Sequence, residues 1–221
     1  MNILYICPMI QESTDAAKIA EYLLQIKAIK LQPKQPFTWA SGWKSPIYCD
    51  NRVSLSYPAI RSYIKNALAD AILKKYPDVE AIVGVATAGI PQGALVADVL
   101  NLPAAYVRPE PKSHGRQNQL EGDLPQGCKV VVIEDLISTG KSSLKAVEVL
   151  REMGYEVLGL VAIFTYGFPL ADTNFSEASC PYFALSNYNA LIETAVKTGY
   201  VQQSDIESLA EWRKSPESWG I

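Results

Sequence analysis

Two carboxylates and a hydroxyl-rich turn lie close together near the middle of the chain. Glu134 and Asp135 directly follow the apolar run of residues 130–133. Residues 138–143 then read Ser-Thr-Gly-Lys-Ser-Ser and precede an apolar pattern with helical spacing. Such a turn exposes main-chain N–H groups at a helix N-terminus, where they can bind a phosphate. The sequence therefore predicts a phosphate site with two acids beside it.

The spacing excludes a nucleoside-triphosphate P-loop. That loop requires a glycine five positions before the glycine of its Gly-Lys-Ser/Thr end, and Asp135 stands there. Two interpretations remain, a dedicated phosphate site or an ordinary strand-to-helix turn with a polar cap. Because two carboxylates seldom close a buried strand in an ordinary turn, the dedicated site is favoured.

The elements that must position these residues alternate between strands and helices. Residues 130–133 are apolar and β-branched throughout, which is typical of a strand buried on both faces of a parallel sheet. Apolar runs predict further strands over residues 79–85, 104–107, 156–164 and, at an edge, 182–185. Helical periodicity predicts helices over residues 13–30, 58–76, 91–100, 144–153, 188–197 and 204–213. This order predicts an α/β fold with right-handed crossovers, and we expect the last two helices to pack on the sheet's flank or on a partner subunit.

Two loops could add contacts to an anion. Residues 86–90, Ala-Thr-Ala-Gly-Ile, join a strand to a helix and present main-chain donors, although such a turn is a weak signal by itself. Residues 108–127 lack an apolar pattern and carry Arg108, Lys112 and His114. We interpret this long loop as a mobile lid that closes over an anion, with a solvated basic surface loop as the alternative.

Composition narrows the class of protein. The 221 residues are 48% hydrophobic, which is enough for one sizeable core. A formal charge of −3 does not indicate a nucleic acid or an anionic membrane as partner. The four cysteines are scattered, which indicates neither a zinc site nor a disulfide framework and fits a reducing cytoplasm. The apolar first ten residues lack the features of a signal peptide, and no stretch is long enough to span a membrane.

Three motifs of this chain resemble motifs of the orotate phosphoribosyltransferases and occur in the same order. Those enzymes belong to the type I phosphoribosyltransferases. The acidic pair and residues 138–142 resemble the signature that binds phosphoribosyl diphosphate (PRPP). Residues 37–46 are similar to the F-T-x-x-S-G-x-x-S-P segment of the hood that covers the pyrimidine. The family's R-x-x-x-K-x-H-G lid is matched by Arg108, Lys112, His114 and Gly115. The resemblance extends from the first helix to about residue 164.

The resemblance implies a type I phosphoribosyltransferase fold, an α/β fold with a central, mainly parallel sheet flanked by helices and a small N-terminal hood. One domain would span residues 1–221, with the hood at about 13–55 and a C-terminal helical extension at about 187–221. The implied reaction transfers the phosphoribosyl group of PRPP to N1 of orotate in pyrimidine biosynthesis, with Mg²⁺ carried on PRPP and no direct protein ligand. The enzyme would be a cytoplasmic homodimer with a shared lid and no nucleic-acid or membrane partner.

Roles for individual residues also follow from the resemblance. Lys112, His114 and Asp135 would be catalytic, and the lysine and histidine would reach into the neighbouring subunit's site. The orotate contacts would come from Ser138, Lys44 and Ser45. PRPP would be bound by Arg108, Lys112, His114, Glu134, Asp135, Leu136, Ile137, Ser138, Thr139, Gly140, Lys141, Ser142, Thr87 and Ala88.

Some positions depart from the better-known form of the family. Many members have lysine at the positions of Ala40, Ala88 and Pro109. Tyr166 stands near the position of an arginine that contacts orotate in others. The chain therefore resembles a second branch, in which another group neutralises the orotate carboxylate. Lys44 and main-chain donors of residues 45–46 are the candidates.

Other functions are compatible with a PRPP loop. A purine or xanthine phosphoribosyltransferase would share it, but residues 37–46 argue against such a base, and a panel of bases would distinguish them. A non-catalytic regulator that senses PRPP should carry a nucleic-acid-binding element, and the sequence has no helix-turn-helix extension or basic stripe. We expect no fused decarboxylase barrel, because 221 residues leave no room for one.

Overall fold

The computed structural model describes residues 13–39, 42–110 and 119–219. In chain order, its strands are β1 (Ile29–Leu31), β2 (Phe37–Thr38), β3 (Lys44–Ser45), β4 (Ile47–Cys49), β5 (Ala81–Val85), β6 (Ala104–Val107), β7 (Leu120–Glu121), β8 (Lys129–Ile137), β9 (Glu156–Thr165) and β10 (Tyr182–Asn187). The last six strands form one sheet in the order β10-β9-β8-β5-β6-β7. All neighbours are parallel except β7, which is antiparallel to β6. The predicted mainly parallel sheet is confirmed, with β10 at one edge.

Helices cover both faces of this sheet. They are α1 (Ser13–Gln25), α2 (Pro58–Lys75), α3 (Gly89–Leu100), α4 (Lys141–Glu152), α5 (Pro169–Glu177), α6 (Tyr188–Lys197) and α7 (Ile206–Lys214), with 3-10 turns at Asn51–Ser56 and Gln203–Asp205. Core residues of α1, α2, α3, α6 and α7 pack on one face, and those of α4 and α5 pack on the other. The two predicted C-terminal helices therefore close one flank of the sheet.

The central strand β8 lies between these two layers. Val131 and Ile133 belong to the larger cluster of buried side chains, whereas Val130 and Val132 belong to the smaller one. All four are fully buried. A continuous β-branched run places apolar side chains on both faces of the strand. This is what the sequence predicted for a strand with helices on either side.

Two helix boundaries differ from the prediction by three residues or more. The first helix ends at Gln25 instead of Lys30, because Lys27 takes the left-handed backbone conformation with φ 57°. Residues 29–31 then form β1. Helix α4 begins at Lys141 instead of Leu144, so the last residues of the phosphate turn are its first helical turn.

Helix α5 was not predicted from the sequence. Only Ala171 and Phe175 of its nine residues are buried, which gives too short an apolar pattern for helical periodicity to be recognised. The sequence feature that indicates this helix is Pro169, which occupies its first helical position.

The N-terminal hood is built from small antiparallel pairs. β1 pairs with β4, and β2 pairs with β3. The 3-10 turn Asn51–Ser56 follows β4 directly and connects the hood to α2. Within the described ranges, no helix combines the length and the apolar composition needed to cross a bilayer.

Candidate active site

The two acids lie within β8 and not at its end. The strand continues to Ile137, which pairs with Thr165 of β9. The prediction that the two acids close the strand is therefore wrong by two residues, because the strand extends past Asp135 to Ile137. On the other side of β8, β5 ends close by, because its Gly84 pairs with Ile133. The acids therefore lie just past the end of β5, and this leaves space beside Asp135.

The side chain of Glu134 is buried in the protein interior, whereas that of Asp135 is only half-buried. Glu134 is 6% exposed, and its two carboxyl oxygens accept hydrogen bonds from the Ser143 hydroxyl at 3.1 Å and from the Asp135 main-chain N–H at 3.0 Å. Burial raises the pKa of Glu134 to about 8, and the charge of Asp135 acts in the same direction. Burial also raises the pKa of Asp135, against the lowering effects of Glu134 and of the Arg52 charge. Two adjacent carboxyls whose pKa values are both raised favour a ligand that supplies hydroxyl donors or positive charge.

The phosphate turn is held by close packing against α5. Gly140 has φ 78°, and a Cβ at this position would lie 2.5 Å from Cε2 of Phe175. The side-chain amide of Asn174, also in α5, donates a 2.8 Å hydrogen bond to the main-chain oxygen of Thr139. No side chain of the described residues caps the N-terminus of α4. Its first N–H groups therefore remain available to an anion.

A second turn lies against the same strand. α3 begins at Gly89, where a Cβ would collide with the main-chain oxygen of Ile133. This close approach fixes the preceding residues beside the acids, with Thr87 exposed and Ala88 half-buried. Both predicted residues of this turn therefore lie at the carboxyl end of β5, where parallel sheets place their ligands.

Arg108 lies where the lid begins. Its main-chain N–H donates to Gln119 O at 2.8 Å, and its Nη1 lies 3.5 Å from Glu121 Oε1. A cavity of about 430 Å³ is bounded by Arg108 together with Lys141 and Ser142 of the phosphate turn. The structure thus brings Arg108, at the start of the predicted lid, together with the residues of the phosphate turn. Part of the predicted loop is ordered as β7.

The other predicted lid residues, Lys112 and His114, lie outside the described residues. Ala40 of the hood lies outside them as well. Their assigned roles stay predictions.

A buried side chain of the hood contacts strand β8, which carries the two acids. Asn51 is fully buried, and its Nδ2 donates a 2.7 Å hydrogen bond to the main-chain oxygen of Asp135. Cys49 in turn donates from Sγ to Asn51 Oδ1 at 3.4 Å. Burial, followed by the charge of Asp135, raises the pKa of Cys49 well above its usual value. These contacts connect β4 to the acids.

An aromatic group fixes the other side of the hood. Trp39 stacks on Tyr166 with ring centroids 5.4 Å apart, and its indole N–H donates to Ile47 O at 3.0 Å. Trp212 of α7 meets both Trp39 and Tyr166 edge to face. Tyr166 is buried among these rings, where an unpaired cation would be costly.

The two hood candidates for orotate differ in their surroundings. Lys44 is exposed, and its Nζ donates to Thr38 Oγ1 at 2.9 Å. Ser45 is fully buried, and its hydroxyl donates to Ile47 O at 2.9 Å. Its side chain is therefore engaged within the hood, which leaves its main chain as the possible contact.

A family model described as phosphoribosyl transferase domain matches residues 54–193. An orotate phosphoribosyltransferase of Bacteroides fragilis is 60% identical over 90% of this chain and 94% of its own. One from Porphyromonas gingivalis is 61% identical over 92% of this chain and 97% of its own. The chain belongs to the orotate phosphoribosyltransferase family.

Solved structures agree with this family. An orotate phosphoribosyltransferase from Aeropyrum pernix is 32% identical, covers 83% of this chain and 99% of its own, and superposes with a TM-score of 0.72. The UMP synthase of Leishmania donovani is 26% identical over 90% of this chain, with a TM-score of 0.76. This chain spans 43% of that longer protein. The type I phosphoribosyltransferase fold implied by the motifs is thereby confirmed.

Sequence reasoning missed three residues that hydrogen-bond to the candidate site. They are Asn51, Ser143 and Asn174, which hydrogen-bond to residues 135, 134 and 139, respectively. Ser143 was visible as the last hydroxyl of the turn, but only the fold directs it to Glu134. The two asparagines lie in other elements, and nothing in their local sequence indicates their partners.

Proposed function

We propose that the protein transfers the phosphoribosyl group of PRPP to N1 of orotate, giving orotidine 5′-monophosphate and diphosphate. The observation that carries this proposal is the convergence of three parts on β8. The half-buried Asp135, the uncapped start of α4 and the hood residue Asn51 lie around one strand. A sugar phosphate between the acids and α4 would place its anomeric carbon toward the hood, where a base can be held.

The ribose and its 5′-phosphate would be bound by complementary groups. Asp135 would accept hydrogen bonds from the ribose hydroxyls, with Glu134 behind it. The 5′-phosphate would lie on residues 138–142, because main-chain N–H groups at a helix start favour an anion. Lys141 and Ser142 are exposed at this start and can add contacts.

The chemistry needs electrostatic stabilisation and no covalent nucleophile. Departure of diphosphate develops positive charge on the ribose and negative charge on the leaving group. The carboxylate of Asp135 favours the cationic sugar, whereas Arg108, Lys112 and His114 stabilise the diphosphate. Orotate N1 then attacks the anomeric carbon. Closure of the lid over the site would exclude water as a competing nucleophile.

Mg²⁺ would be bound through the diphosphate oxygens of PRPP. Among the described residues, no cluster of three or more histidine, cysteine or acidic side chains could hold a metal by itself. Glu134 is engaged by Ser143, so Asp135 is the carboxylate that remains accessible beside a metal carried by the substrate. When bound there, the ion supplies positive charge that stabilises the leaving group.

The proposed assembly is a cytoplasmic homodimer that shares its lid. Lys112 and His114 of one subunit would reach the diphosphate in the neighbouring site. A mixture of two inactive variants tests this, because Lys112→Ala and Asp135→Asn subunits would form heterodimers with one intact site. Recovery of activity on mixing supports a shared lid, and no recovery contradicts it.

An absorbance assay of base consumption tests the function. Orotate is supplied with PRPP and Mg²⁺, and adenine, hypoxanthine, xanthine and uracil are run beside it with a magnesium-free control. We expect turnover of orotate that depends on the metal. Turnover of another base would contradict the interpretation of residues 37–46. PRPP binding without any turnover would favour a sensor.

A further inference from the structure

Arg52 is a cation at the junction of the hood and the catalytic strand. It lies in the 3-10 turn Asn51–Ser56, directly after the asparagine whose amide is bonded to Asp135 O at 2.7 Å. Its side chain is 59% exposed. The backbone of this turn is therefore fixed to the strand that carries the acids, while the guanidinium extends toward solvent.

The guanidinium is oriented by Asp50. Nε and Nη2 of Arg52 donate to Asp50 Oδ1 and Oδ2 at 2.7 and 2.9 Å, and the Arg52 main-chain N–H donates to Oδ1 at 3.2 Å. This pair occupies one of the two edges with which a guanidinium can bind a carboxylate. Nη1, on the other edge, makes no hydrogen bond to any described residue, so a second carboxylate can bind there.

The charge of Arg52 acts on the candidate site. It lowers the pKa of Asp135, opposing the larger raising effect of burial, and the charge of Asp135 in turn raises the pKa of Arg52. Arg52 directly follows Asn51, whose amide is bonded to Asp135 O, so its main chain lies beside the strand that carries this carboxylate. The alternative hood cation, Lys44, lies on the β2–β3 hairpin and is bonded to Thr38.

We propose that Arg52 is the residue that binds the carboxylate of orotate, with Asp50 as its positioning residue. This inference rests on the proposed function. Arg52 would supply the positive charge that is missing at Tyr166, whose ring is enclosed by Trp39 and Trp212. A planar guanidinium held on one edge is preorganised to bind a planar carboxylate on the other edge.

The inference is tested with Arg52→Met, which keeps the apolar stem and removes the charge. We expect the KM for orotate to rise about 10- to 100-fold, the size expected for a lost charged hydrogen bond. The KM for PRPP should change less than about threefold, and Arg52→Lys should retain part of the affinity. Inhibition by orotamide, which lacks the carboxylate charge, should be equal in the wild-type and Arg52→Met proteins.

Arg61→Met is the matched control, because Arg61 donates to Leu55 O and lies in α2. Its orotate KM should stay at the wild-type value. An unchanged orotate KM in both Arg52 variants overturns the inference, as does an equal rise in the KM for PRPP. A large effect confined to Lys44→Met would assign the carboxylate to the hairpin instead. Absence of orotate turnover in the wild-type protein would overturn the proposed function itself, which distinguishes the two failures.

Discussion

Asn51 and Asp135 are 84 positions apart in the chain, yet a 2.7 Å hydrogen bond joins the amide of the first to the main-chain oxygen of the second. The donor is fully buried and belongs to the turn that follows the hood. This bond fixes the distance between the part of the protein that would hold the base and the part that would hold the ribose. In a reaction between two bound substrates, such positioning affects rate as well as binding.

Asn51→Ala should reduce both stability and activity. Loss of a buried hydrogen bond costs about 1–3 kcal/mol of unfolding free energy, and we expect kcat/KM to fall at least about tenfold. Denaturant unfolding and steady-state kinetics measure the two effects. Gln126→Ala is the control, because its amide also donates to a main-chain oxygen, that of Met153 at 2.9 Å, but at an exposed position. Wild-type kinetics in Asn51→Ala would contradict a role in positioning.

Gly140→Ala should destabilise the phosphate turn by more than backbone strain alone accounts for. Gly140 and Gly199 have similar φ values of 78° and 71°, but only at Gly140 would a Cβ meet Phe175. At Gly199 nothing lies within 4 Å. Both alanine variants should lose about 1 kcal/mol of unfolding free energy from the left-handed conformation, and Gly140→Ala should lose about 1–3 kcal/mol more from overpacking against Phe175.

The KM for PRPP should rise only in Gly140→Ala. Thermal unfolding and PRPP titrations of the two variants separate strain from steric collision. Equal losses in the two proteins would mean that contact with Phe175 does not shape the turn.

Asp135→Asn should weaken catalysis that depends on PRPP. The substitution keeps the shape of the side chain but removes the charge that favours a cationic ribose, so we expect kcat to fall about 10²- to 10³-fold. Single-turnover and steady-state kinetics with PRPP and orotate measure this. Asp70→Asn, at an exposed position of α2, is a control that should keep wild-type kinetics. Normal turnover in Asp135→Asn would place the ribose site elsewhere.

Lys112→Ala should abolish most turnover and leave stability unchanged. Lys112 is assigned from its position in the lid motif, and its side chain is expected to act only when diphosphate is bound. We expect kcat to fall about 10²-fold or more, with a melting temperature within about 1 °C of wild type. A lowered melting temperature with normal turnover would identify a structural residue.

The stability of the ligand-free protein should fall as the pH rises from about 4.5 to about 8. Burial raises the pKa of Glu134 to about 8 in the folded state, so the folded protein binds more protons than the unfolded chain across this range. Asp135, whose pKa is also raised, contributes with the same sign.

Urea unfolding of the wild type and Glu134→Gln at several pH values measures this dependence. The amide does not titrate, so the variant should have a flatter profile, and the difference between the two proteins should grow toward pH 8. The Glu193→Gln substitution, at an exposed position of α6, should reproduce the wild-type profile. A steeper decline in Glu134→Gln would contradict the raised pKa.

The sequence by itself determined the order of the main strands and helices and the position of the candidate phosphate turn. Alternating apolar runs predicted a mainly parallel sheet because a strand covered on both faces must be apolar throughout, as in residues 130–133. Glu134, Asp135 and the turn that follows them could be recognised because they are contiguous, so local spacing carries the information.

Tertiary structure decided what surrounds that loop. Asn51, Asn174 and Phe175 meet residues 135, 139 and 140 only after the chain has folded. Whether Glu134 or Asp135 faces the ligand also depended on the fold, because the neighbouring strand β5 ends beside them and Ser143 engages only the glutamate. The physical reason is the same in each case. Local sequence specifies the conformation of a segment, whereas hydrogen bonds and burial between distant segments depend on packing, which no local pattern records.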